Sequence, residues 1–377
     1  MSEKNNSLIN RFFRSIIHWL SILFLLGLLL SYTSSMVSPN TFWFLQLFGL
    51  AYPIFFVGSL ILFVLSLFIN KKIKFYFIII ILGVFTHAKF FGVDFQSPNW
   101  DEFSKKELRI MSFNVRLFDI YKWGNSDLKD SEAEFLKLFE KESVDILCIQ
   151  EFAVDHRKSE HVSVAKIKKR GHFTEYVSTL KQQTEKIETG QAIFSKYPII
   201  SSGTIGINTD ILTCLYADIL KDGDTIRVYN THLESIRFQQ DEYSLFDRKS
   251  TSSKNIFSRV GGLFSKLKQA YPKRIKQSKL ILQNTKDTDF PSIICGDFND
   301  PPTSYVYGLF DDQLNDAFYA ADIQLGRTYA GKIPAGRIDY LFYNHQLAPV
   351  SFDILQQYKL SDHYPIVSTL RIKNTVD

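Results

Sequence analysis

The chain has 377 residues and a formal net charge of +5. This length allows about two or three structural units, and the modest charge permits a polyanionic partner without requiring one. The cysteines Cys148, Cys214 and Cys295 each lie in an apolar β-type run. We therefore predict buried strand cysteines, which excludes a disulfide framework and a cysteine metal cluster.

The composition of the N-terminal quarter differs from that of the remainder. Residues 5–93 contain no Asp or Glu, and residues 15–70 contain no charged side chain. Because a spanning helix needs about 20 apolar residues, this uncharged run predicts two transmembrane helices, at about 16–36 and 42–69. A second apolar run, which follows Lys74, predicts a third helix at about 75–91. We expect an all-α membrane region over residues 1–94, a linker over 95–106 and a soluble domain over 107–377.

Basic residues beside these helices predict their orientation. Lys4, Arg11 and Arg14 precede the first helix, and a lysine group at 71–74 follows the second, whereas the turn between them has none. Since flanking Lys and Arg stay on the cytoplasmic side, we expect a multi-pass inner-membrane protein of a bacterium. Its N-terminus is then cytoplasmic, and everything after about Gly92 is periplasmic or extracellular. An alternative is that the first segment is a cleaved signal peptide, which leaves this placement unchanged.

The soluble part alternates short apolar strands with helices. Strands are predicted at 108–116, 144–151, 212–220, 225–230 and 337–343, and in a last strand ending at 370; helices are predicted at 131–142 and 305–310. The pair Asp222-Gly223 lies between two alternating runs and is a strong signal of a β-hairpin. The pattern therefore predicts a domain that contains both sheet and helix.

The segment Ile236–Thr288 is basic and less regular. Two alternatives remain open for Ile256–Tyr271: an amphipathic helix on a lipid surface, or a helix that packs on the sheet with its basic face in water. The second is favoured for Lys279–Asn284.

Polar residues follow the predicted strands at or beside their ends. An apolar run ends at Gly296 and is followed by Asp297 and Asn299, which share one face if the strand direction persists, because residues i and i+2 point the same way. A turn is the alternative there, since Gly, Asp and Asn all favour turns. The other polar residues placed in this way are Asn114, Glu151, His232, Asp339, Asp362 and His363. Paired sheets would gather such ends along one edge, and oxygen ligands of this type suit Mg²⁺ or Mn²⁺.

Six motifs occur in order between Leu108 and Leu370: Ser-Phe-Asn-Val-Arg, Ile-Gln-Glu, Asn-Thr-His-Leu, Gly-Asp-Phe-Asn, Arg-Ile-Asp-Tyr and Ser-Asp-His-Tyr-Pro. With these motifs the span resembles the endonuclease/exonuclease/phosphatase superfamily, which includes DNase I-like nucleases, neutral sphingomyelinases, inositol polyphosphate phosphatases and AP endonucleases. The resemblance implies an α+β fold, a four-layered α/β sandwich of two central mixed sheets flanked by helices. It also implies metal-dependent hydrolysis of phosphoester bonds.

The resemblance implies the residues that hold the metal and the substrate. Glu151 resembles the family's principal Mg²⁺ ligand, with Mn²⁺ as the alternative ion, and Asn114 and Asp362 are expected near the metal. Asn299 is expected to donate to a phosphate oxygen, and Arg116 to contact the substrate.

The resemblance also implies the residues that carry the chemistry. Asp297 is expected to activate or orient the attacking water. His363, paired with Asp339, is expected to contact the scissile phosphate and stabilise developing charge. His232 is expected to be a second phosphate contact or a general acid at the leaving oxygen, since a histidine suits proton transfer near neutral pH.

The motif around His232 narrows the substrate class. Asn-Thr-His-Leu is similar to the DNase I and sphingomyelinase branches, whereas the AP-endonuclease branch has a tyrosine-containing motif there, so abasic-site repair is disfavoured. We expect a membrane-anchored, Mg²⁺-dependent phosphodiesterase. Its substrate is a phospholipid head group at the bilayer or extracellular nucleic acid, with phosphomonoester hydrolysis as a further alternative. A non-catalytic membrane scaffold is disfavoured because every motif residue is present, and no protein partner is inferred.

Overall fold

The structure is a computed structural model that describes residues 2–69, 77–92, 98–120, 131–156, 162–207, 212–236, 256–321, 323–331 and 336–374. The chain divides into two compact units. The first comprises Met1–Phe90 and Asp300–Gly308, and the second comprises Phe91–Asn299 and Leu309–Asp377. The first is helical, and the second contains the β-sheets.

The N-terminal helices differ from those predicted. They are α1 (Ser2–Thr33), α2 (Pro39–Phe42), α3 (Leu45–Leu50), α4 (Tyr52–Ile69), α5 (Ile78–Leu82) and α6 (Val84–Phe91). Within the described residues, one stretch, Arg11–Thr33, is long and apolar enough to cross a membrane, and Tyr52–Phe68 is apolar but shorter. The prediction of three spanning helices is therefore wrong for this part of the chain.

Local backbone chemistry explains the breaks. The predicted helix 42–69 is interrupted at Ala51, and Pro53 lies in the first turn of α4, where its missing N–H costs nothing. The predicted helix 75–91 is interrupted at Gly83, which ends α5. A prediction from hydropathy depends on how apolar a run of residues is, and it does not detect such breaks in a helix. The lysine group at 71–74, used above for orientation, lies outside the described residues.

The segment Asp300–Gly308 is hydrogen-bonded within the helical unit. The Ser34 hydroxyl donates to the Thr303 carbonyl at 2.5 Å, and the Thr303 hydroxyl donates to the Gly49 carbonyl at 2.7 Å. Both hydroxyls are buried. These bonds satisfy polar groups that would otherwise cost free energy in an apolar setting.

The strands form two mixed sheets. Their bounds are β1 (Phe103–Asn114), β2 (Ile146–Asp155), β3 (Glu175–Ser178), β4 (Lys181–Thr184), β5 (Ile187–Ser195), β6 (Ile199–Gly206), β7 (Leu212–Lys221), β8 (Asp224–His232), β9 (Ser292–Asp297), β10 (Asn315–Asp316), β11 (Asp339–Tyr343), β12 (Leu347–Ile354) and β13 (Ile366–Lys373). The first sheet has the order β12-β13-β1-β2-β5-β3, with β4 on β5, and the second has the order β10-β11-β9-β8-β7-β6. The pairs β1–β2 and β8–β9 are parallel, and the other pairs are antiparallel.

Alternating side chains build the layers. Ile110 and Ile146 belong to the core between the two sheets, whereas their neighbours Met111 and Leu147 belong to the core under the helices. The helices of this unit are α7 (Ser131–Glu142), α8 (Val164–Gly171), α9 (Ile256–Lys286) and α10 (Tyr305–Asp311), of which α10 continues from the other unit. Helices α7 and α8 contribute side chains to the core that contains Met111 and Leu147. Helix α9 contacts the other sheet, where the Tyr229 hydroxyl donates to Asn284 at 2.9 Å. The predicted sandwich of two mixed sheets flanked by helices is confirmed.

Several local predictions are also confirmed. Helix α7 has the predicted bounds, the hairpin turns at Asp222-Gly223 with positive φ at both residues, and the three cysteines are buried. Strand bounds differ by a few residues, and β1 begins at Phe103, so that it includes the last residues of the predicted linker. In α9, Leu267 and Tyr271 are buried, and the lysines at 268, 276 and 279 are exposed, as expected for a helix that packs on protein.

Candidate active site

The polar residues meet where neighbouring strands end. In the pairing of β8 with β9, His232 lies opposite Asp297, and in that of β11 with β9, Asp339 lies opposite the same Asp297. Three side chains that carry chemistry thus occupy one row of the second sheet. Asn114 ends β1 of the first sheet and reaches this row, because its Nδ2 donates to Asp297 Oδ2 at 3.1 Å.

Gly296 sets the close approach of two strands. Its φ is +142°, and a Cβ built on it would lie 1.9 Å from the Thr231 carbonyl oxygen. No other residue fits there without moving the backbone. Asp297, the next residue, is therefore fixed in position by the glycine that precedes it.

The chain turns immediately after Asp297. Strand β9 ends there, the Asn299 N–H donates to Asp297 Oδ1 at 2.8 Å, and Asn299 adopts a φ of +56°. The condition for Asp297 and Asn299 to share a strand face is not met, so the turn alternative is correct. The turn aims the Asn299 amide at the Leu233 carbonyl, to which its Nδ2 donates at 3.1 Å.

Glu151 lies in a β-bulge. The prediction that its strand ends at this residue is wrong, since β2 continues to Asp155. The pairing register with β5 shifts between Ile149 and Phe152, and Glu151 has a φ of +48°. Such bulges re-aim a side chain beside an active site. Here Glu151 Oε1 accepts from Asn114 Nδ2 at 3.3 Å.

Asp297 is the centre of the cluster. Its side chain is 2 % exposed, and its Oδ2 lies 3.7 Å from His232 Nε2 and 3.6 Å from His363 Nε2. His232 Nε2 also lies 3.8 Å from Glu151 Oε1. Each of these four predicted site residues therefore lies within ion-pair distance of at least one of the others.

His363 and Asp339 form the predicted pair. The His363 Nδ1 lies 3.0 Å from both carboxylate oxygens of Asp339, and both residues are buried. Burial lowers the pKa of His363, but the negative charges of Asp339 and Asp297 outweigh burial and raise the pKa to about 10. The imidazole is therefore cationic near neutral pH and is suited to contact an anionic phosphate.

Arg116 and Asp362 form a second pair beside this cluster. The Arg116 Nε lies 3.7 Å from Asp362 Oδ2. Residues 116–119 all have φ between +48° and +54°, a left-handed turn that costs energy for residues other than glycine. Strain of this kind is concentrated at functional sites, and here it begins two residues after Asn114.

Two sets of donors could hold a divalent cation. In the described residues, Asp297, Asp339 and His363 each place one ligand atom within 4.8 Å of the others, and Asp339 is already paired with His363. Glu151, Asn114 and Asp362 remain the predicted metal residues. The carboxylate of Glu151 is about one-third exposed, and oxygen donors of this type fit a hard divalent cation.

An open cleft of about 250 Å³ begins at this cluster, and we call it the side cleft. Glu151 and His232 line one part of it. The rest is lined mainly by neutral polar residues and one lysine, namely Thr179, Lys181, Gln183, Thr189 and Gln191. None of these residues belongs to a motif, and only the tertiary fold brings them to the site.

Comparison with known proteins decides the family. The sequence model described as the Endonuclease/Exonuclease/phosphatase family matches residues 111–363. The chain belongs to this family. Its members are phosphoester hydrolases that generally use a divalent metal, so the protein is an enzyme of that class. Residues 14–90 match a domain of unknown function. No curated protein matches the chain.

Solved structures of other proteins are similar to this chain. An endonuclease/exonuclease/phosphatase from Beutenbergia cavernae is 16 % identical, with a TM-score of 0.52, covering 72 % of each chain. A functionally unknown conserved protein from Enterococcus faecalis is 16 % identical, with a TM-score of 0.50, covering 71 % of this chain and all of the other. The human Nocturnin catalytic domain with bound sulfate is 19 % identical, with a TM-score of 0.48, covering 72 % and 96 %. At these identities the first two matches show the fold alone.

Proposed function

We propose that this family member is a membrane-anchored, Mg²⁺-dependent phosphodiesterase. The observation that carries the proposal is the position of Asp297, whose Oδ2 lies within 3.1–3.7 Å of Asn114, His232 and His363. A buried carboxylate that faces two imidazoles and an amide is suited to bind water and accept its proton, while the imidazoles face the developing charge.

The metal is assigned to the oxygen donors. Glu151 is the principal ligand in this proposal, with Asn114 and Asp362 near the ion, and Mn²⁺ is the alternative to Mg²⁺. When bound, the cation supplies charge neutralisation at the phosphate. The side-chain oxygen of Asn114 accepts a hydrogen bond from the Arg116 N–H at 3.0 Å. This bond orients the Asn114 amide, whose nitrogen donates to Glu151 and Asp297 and so aligns both carboxylates.

The protein side chains carry the remaining work. Asp297 orients the attacking water and takes its proton. The cationic His363, held by Asp339, donates to a non-bridging phosphate oxygen, and His232 donates a proton to the leaving oxygen. A side-chain amide has two N–H donors; one of those on Asn299 bonds Leu233, and the other is assigned to the phosphate.

The N-terminal region supplies the anchor. The stretch Arg11–Thr33 has the length and apolarity for a bilayer span. Since Lys4, Arg11 and Arg14 precede its apolar part, the positive-inside rule assigns the N-terminus to the cytoplasm and the catalytic unit to the outer side. A signal sequence passes the same criteria. The lipid bilayer is a partner in this proposal, and it favours a phospholipid head group over nucleic acid as substrate.

The test uses the full-length protein in detergent micelles. Bis-p-nitrophenyl phosphate is offered with Mg²⁺ and with EDTA, to the wild type, to Asp297→Asn and to the exposed control Asp312→Asn. We expect turnover that needs Mg²⁺ and Asp297 and is insensitive to the control. Turnover that persists in EDTA or in Asp297→Asn would refute the mechanism. Plasmid DNA and phospholipid vesicles, offered in parallel, separate an endonuclease from a lipid phosphodiesterase, and p-nitrophenyl phosphate reports monoester hydrolysis.

A further inference from the structure

The segment Asp300–Gly308, which we call the strap, follows directly after a residue of the active site. The strap belongs to the helical unit, and the residue before it is Asn299, which is assigned above to a phosphate oxygen. The proposed function uses the helical unit only as an anchor, and the match of residues 14–90 to a domain of unknown function gives that unit no role in the reaction. Whatever holds the strap, however, also holds one end of the active-site loop, residues 297–299.

Buried polar side chains hold the strap within the helical unit. Gln46 is 3 % exposed and accepts a hydrogen bond from the Tyr305 N–H at 3.0 Å, while its Nε2 donates to the Ser34 carbonyl at 2.7 Å. The Ser34 hydroxyl donates to the Thr303 carbonyl, and the Thr303 hydroxyl donates to the Gly49 carbonyl. Because a buried polar group that loses its partner is costly, each of these bonds favours one position of the strap.

Two close backbone contacts restrict this position further. A Cβ built on Gly49 would lie 3.0 Å from the Thr303 carbonyl oxygen, and a Cβ built on Gly308 would lie 2.7 Å from the Ser35 carbonyl oxygen. The atoms that approach are backbone atoms, which cannot rotate aside as the end of a flexible side chain can. The strap therefore packs directly against the backbone of the helical unit at both contacts.

The stretch between Asn299 and these contacts is stiff. Pro301 and Pro302 each have φ fixed at about −65°, and Asp300 is restricted to extended conformations because it precedes a proline. The Ser304 N–H donates to the Pro301 carbonyl at 2.9 Å, which closes a turn. The whole stretch is buried. A displacement of the hydrogen-bonded part of the strap is therefore transmitted to Asn299.

The conformation of Asn299 needs support on both sides. Its φ is +56°, and a non-glycine residue keeps such a sparsely populated conformation only where its surroundings determine it. On its N-terminal side, Asp297 at the end of β9 accepts the Asn299 N–H at 2.8 Å. On its C-terminal side, the chain continues into the strap. Both neighbours of Asn299 are thus fixed, one by the sheet and the other by the helical unit.

We propose that the helical unit positions the active-site loop through the strap, and that Gln46 and Ser34 are positioning residues that act through Asn299. The domain of unknown function is then a part of the catalytic framework as well as an anchor. This inference rests on the proposed phosphodiesterase function, because it is the phosphate contact of Asn299 that the strap aligns.

A double-mutant cycle tests whether Gln46 acts through Asn299. The kcat for bis-p-nitrophenyl phosphate is measured with Mg²⁺ for the full-length protein in micelles. We expect Gln46→Leu to lower kcat about tenfold, since a misplaced donor loses part of the 10²–10³-fold that one such donor typically contributes. Asn299→Gly removes the donor, and glycine adopts the positive φ without strain. In that background we expect Gln46→Leu to change kcat by less than about twofold. A loss of folded protein lowers kcat by the same factor in both backgrounds, so it does not imitate this result.

Ser34→Ala has a matched control in Ser21→Ala. Both serines are fully buried, and each hydroxyl donates at 2.7 Å to a carbonyl three or four residues earlier, that of Ser31 or that of Ile17. Of the two, Ser34 also bonds the strap. We therefore expect Ser34→Ala to lower kcat about threefold or more and Ser21→Ala to leave kcat unchanged. The conservative variant Thr303→Ser keeps the hydroxyl donor of the strap and should keep kcat.

Hydrogen exchange separates failure of this inference from failure of the proposed function. A peptide that begins in β9 and ends at Pro302 reports the amides of the active-site loop, because the two prolines have no N–H, and a peptide from β1 reports global unfolding. Faster exchange of the loop alone in Gln46→Leu and Ser34→Ala, but not in Ser21→Ala, supports the positioning role even if no diester is hydrolysed. In that case the phosphodiesterase proposal alone fails.

Two results would overturn the positioning role. One is an equal effect of Gln46→Leu on kcat with and without the Asn299 side chain, and the other is loop exchange that is unchanged in both Gln46→Leu and Ser34→Ala. Turnover that still needs Mg²⁺ and Asp297 would then leave the phosphodiesterase proposal standing, with the helical unit as an anchor only.

Discussion

Replacing Asp339 by Asn tests the electrostatic design of the site most directly. Asp339 contacts His363 Nδ1 through both carboxylate oxygens, and its charge is the largest of the influences that raise the pKa of His363 to about 10. At about pH 7 such a histidine is more than 99 % cationic, whereas one near the ordinary pKa of about 6.5 is roughly one-quarter cationic. The asparagine variant keeps the shape of the pair and removes its charge.

We expect kcat to fall about 10²–10³-fold near neutral pH, because a preorganised donor at the phosphate loses both its charge and its orientation. The alkaline limb of the pH–rate profile should also move from near pH 10 toward neutral pH. The sign for stability follows from the same shift: a raised pKa in the folded protein stabilises fully below about pH 6.5, and this stabilisation is lost as the pH rises through about 10. The deficit of Asp339→Asn in thermal unfolding should therefore shrink in that window.

The assay is the pH–rate profile of bis-p-nitrophenyl phosphate hydrolysis, with thermal unfolding measured on the same samples. The control is Asp353→Asn, an exposed carboxylate on β12, for which we expect no change in either measurement. If Asp339→Asn retains kcat with an unmoved alkaline limb, His363 does not act as a cation at the phosphate and the reasoning fails.

Three further predictions follow from the geometry. Glu151→Gln should lower kcat about 10³-fold and raise the Mg²⁺ concentration needed for half-maximal activity, as a Mg²⁺ titration will measure. Gly296→Ala should destabilise by about 3 kcal/mol or more, because its Cβ would lie 1.9 Å from the Thr231 carbonyl oxygen; Gly261→Ala, where a Cβ meets nothing within 4 Å, should not destabilise, and thermal unfolding compares the two. Thr303→Val should cost about 1–3 kcal/mol in the helical unit by removing its buried hydroxyl donor, whereas Thr303→Ser should retain most of that stability; equal losses in both variants would contradict the assignment.

The sequence was sufficient to predict that these polar residues lie close together, but not to predict their local geometry. His232, Asp297 and Asp339 could be placed together because polar residues at strand ends gather along one edge of a sheet. The bulge at Glu151 and the left-handed turn at Asn299 could not be predicted, since each depends on how one strand pairs with another. Their residue types are compatible with an ordinary strand and an ordinary turn.

The prediction of three spanning helices failed for a different reason. A count of apolar residues registers how hydrophobic a run is, and it does not register that Pro53 starts a new helix or that Gly83 ends one. The side cleft was missed for a third reason. The residues that line it belong to no motif, and only the pairing of β4 with β5 and the approach of Glu151 and His232 bring them together.

The charges of the described site favour a divalent cation independently of family membership. Four acidic side chains and three basic side chains meet there: Glu151, Asp297, Asp339 and Asp362, with Arg116, His232 and His363. A site in which acidic groups predominate opposes the approach of an anionic phosphodiester. A divalent cation at Glu151 offsets that repulsion, so the effect expected for Glu151→Gln follows from charge balance as well as from coordination.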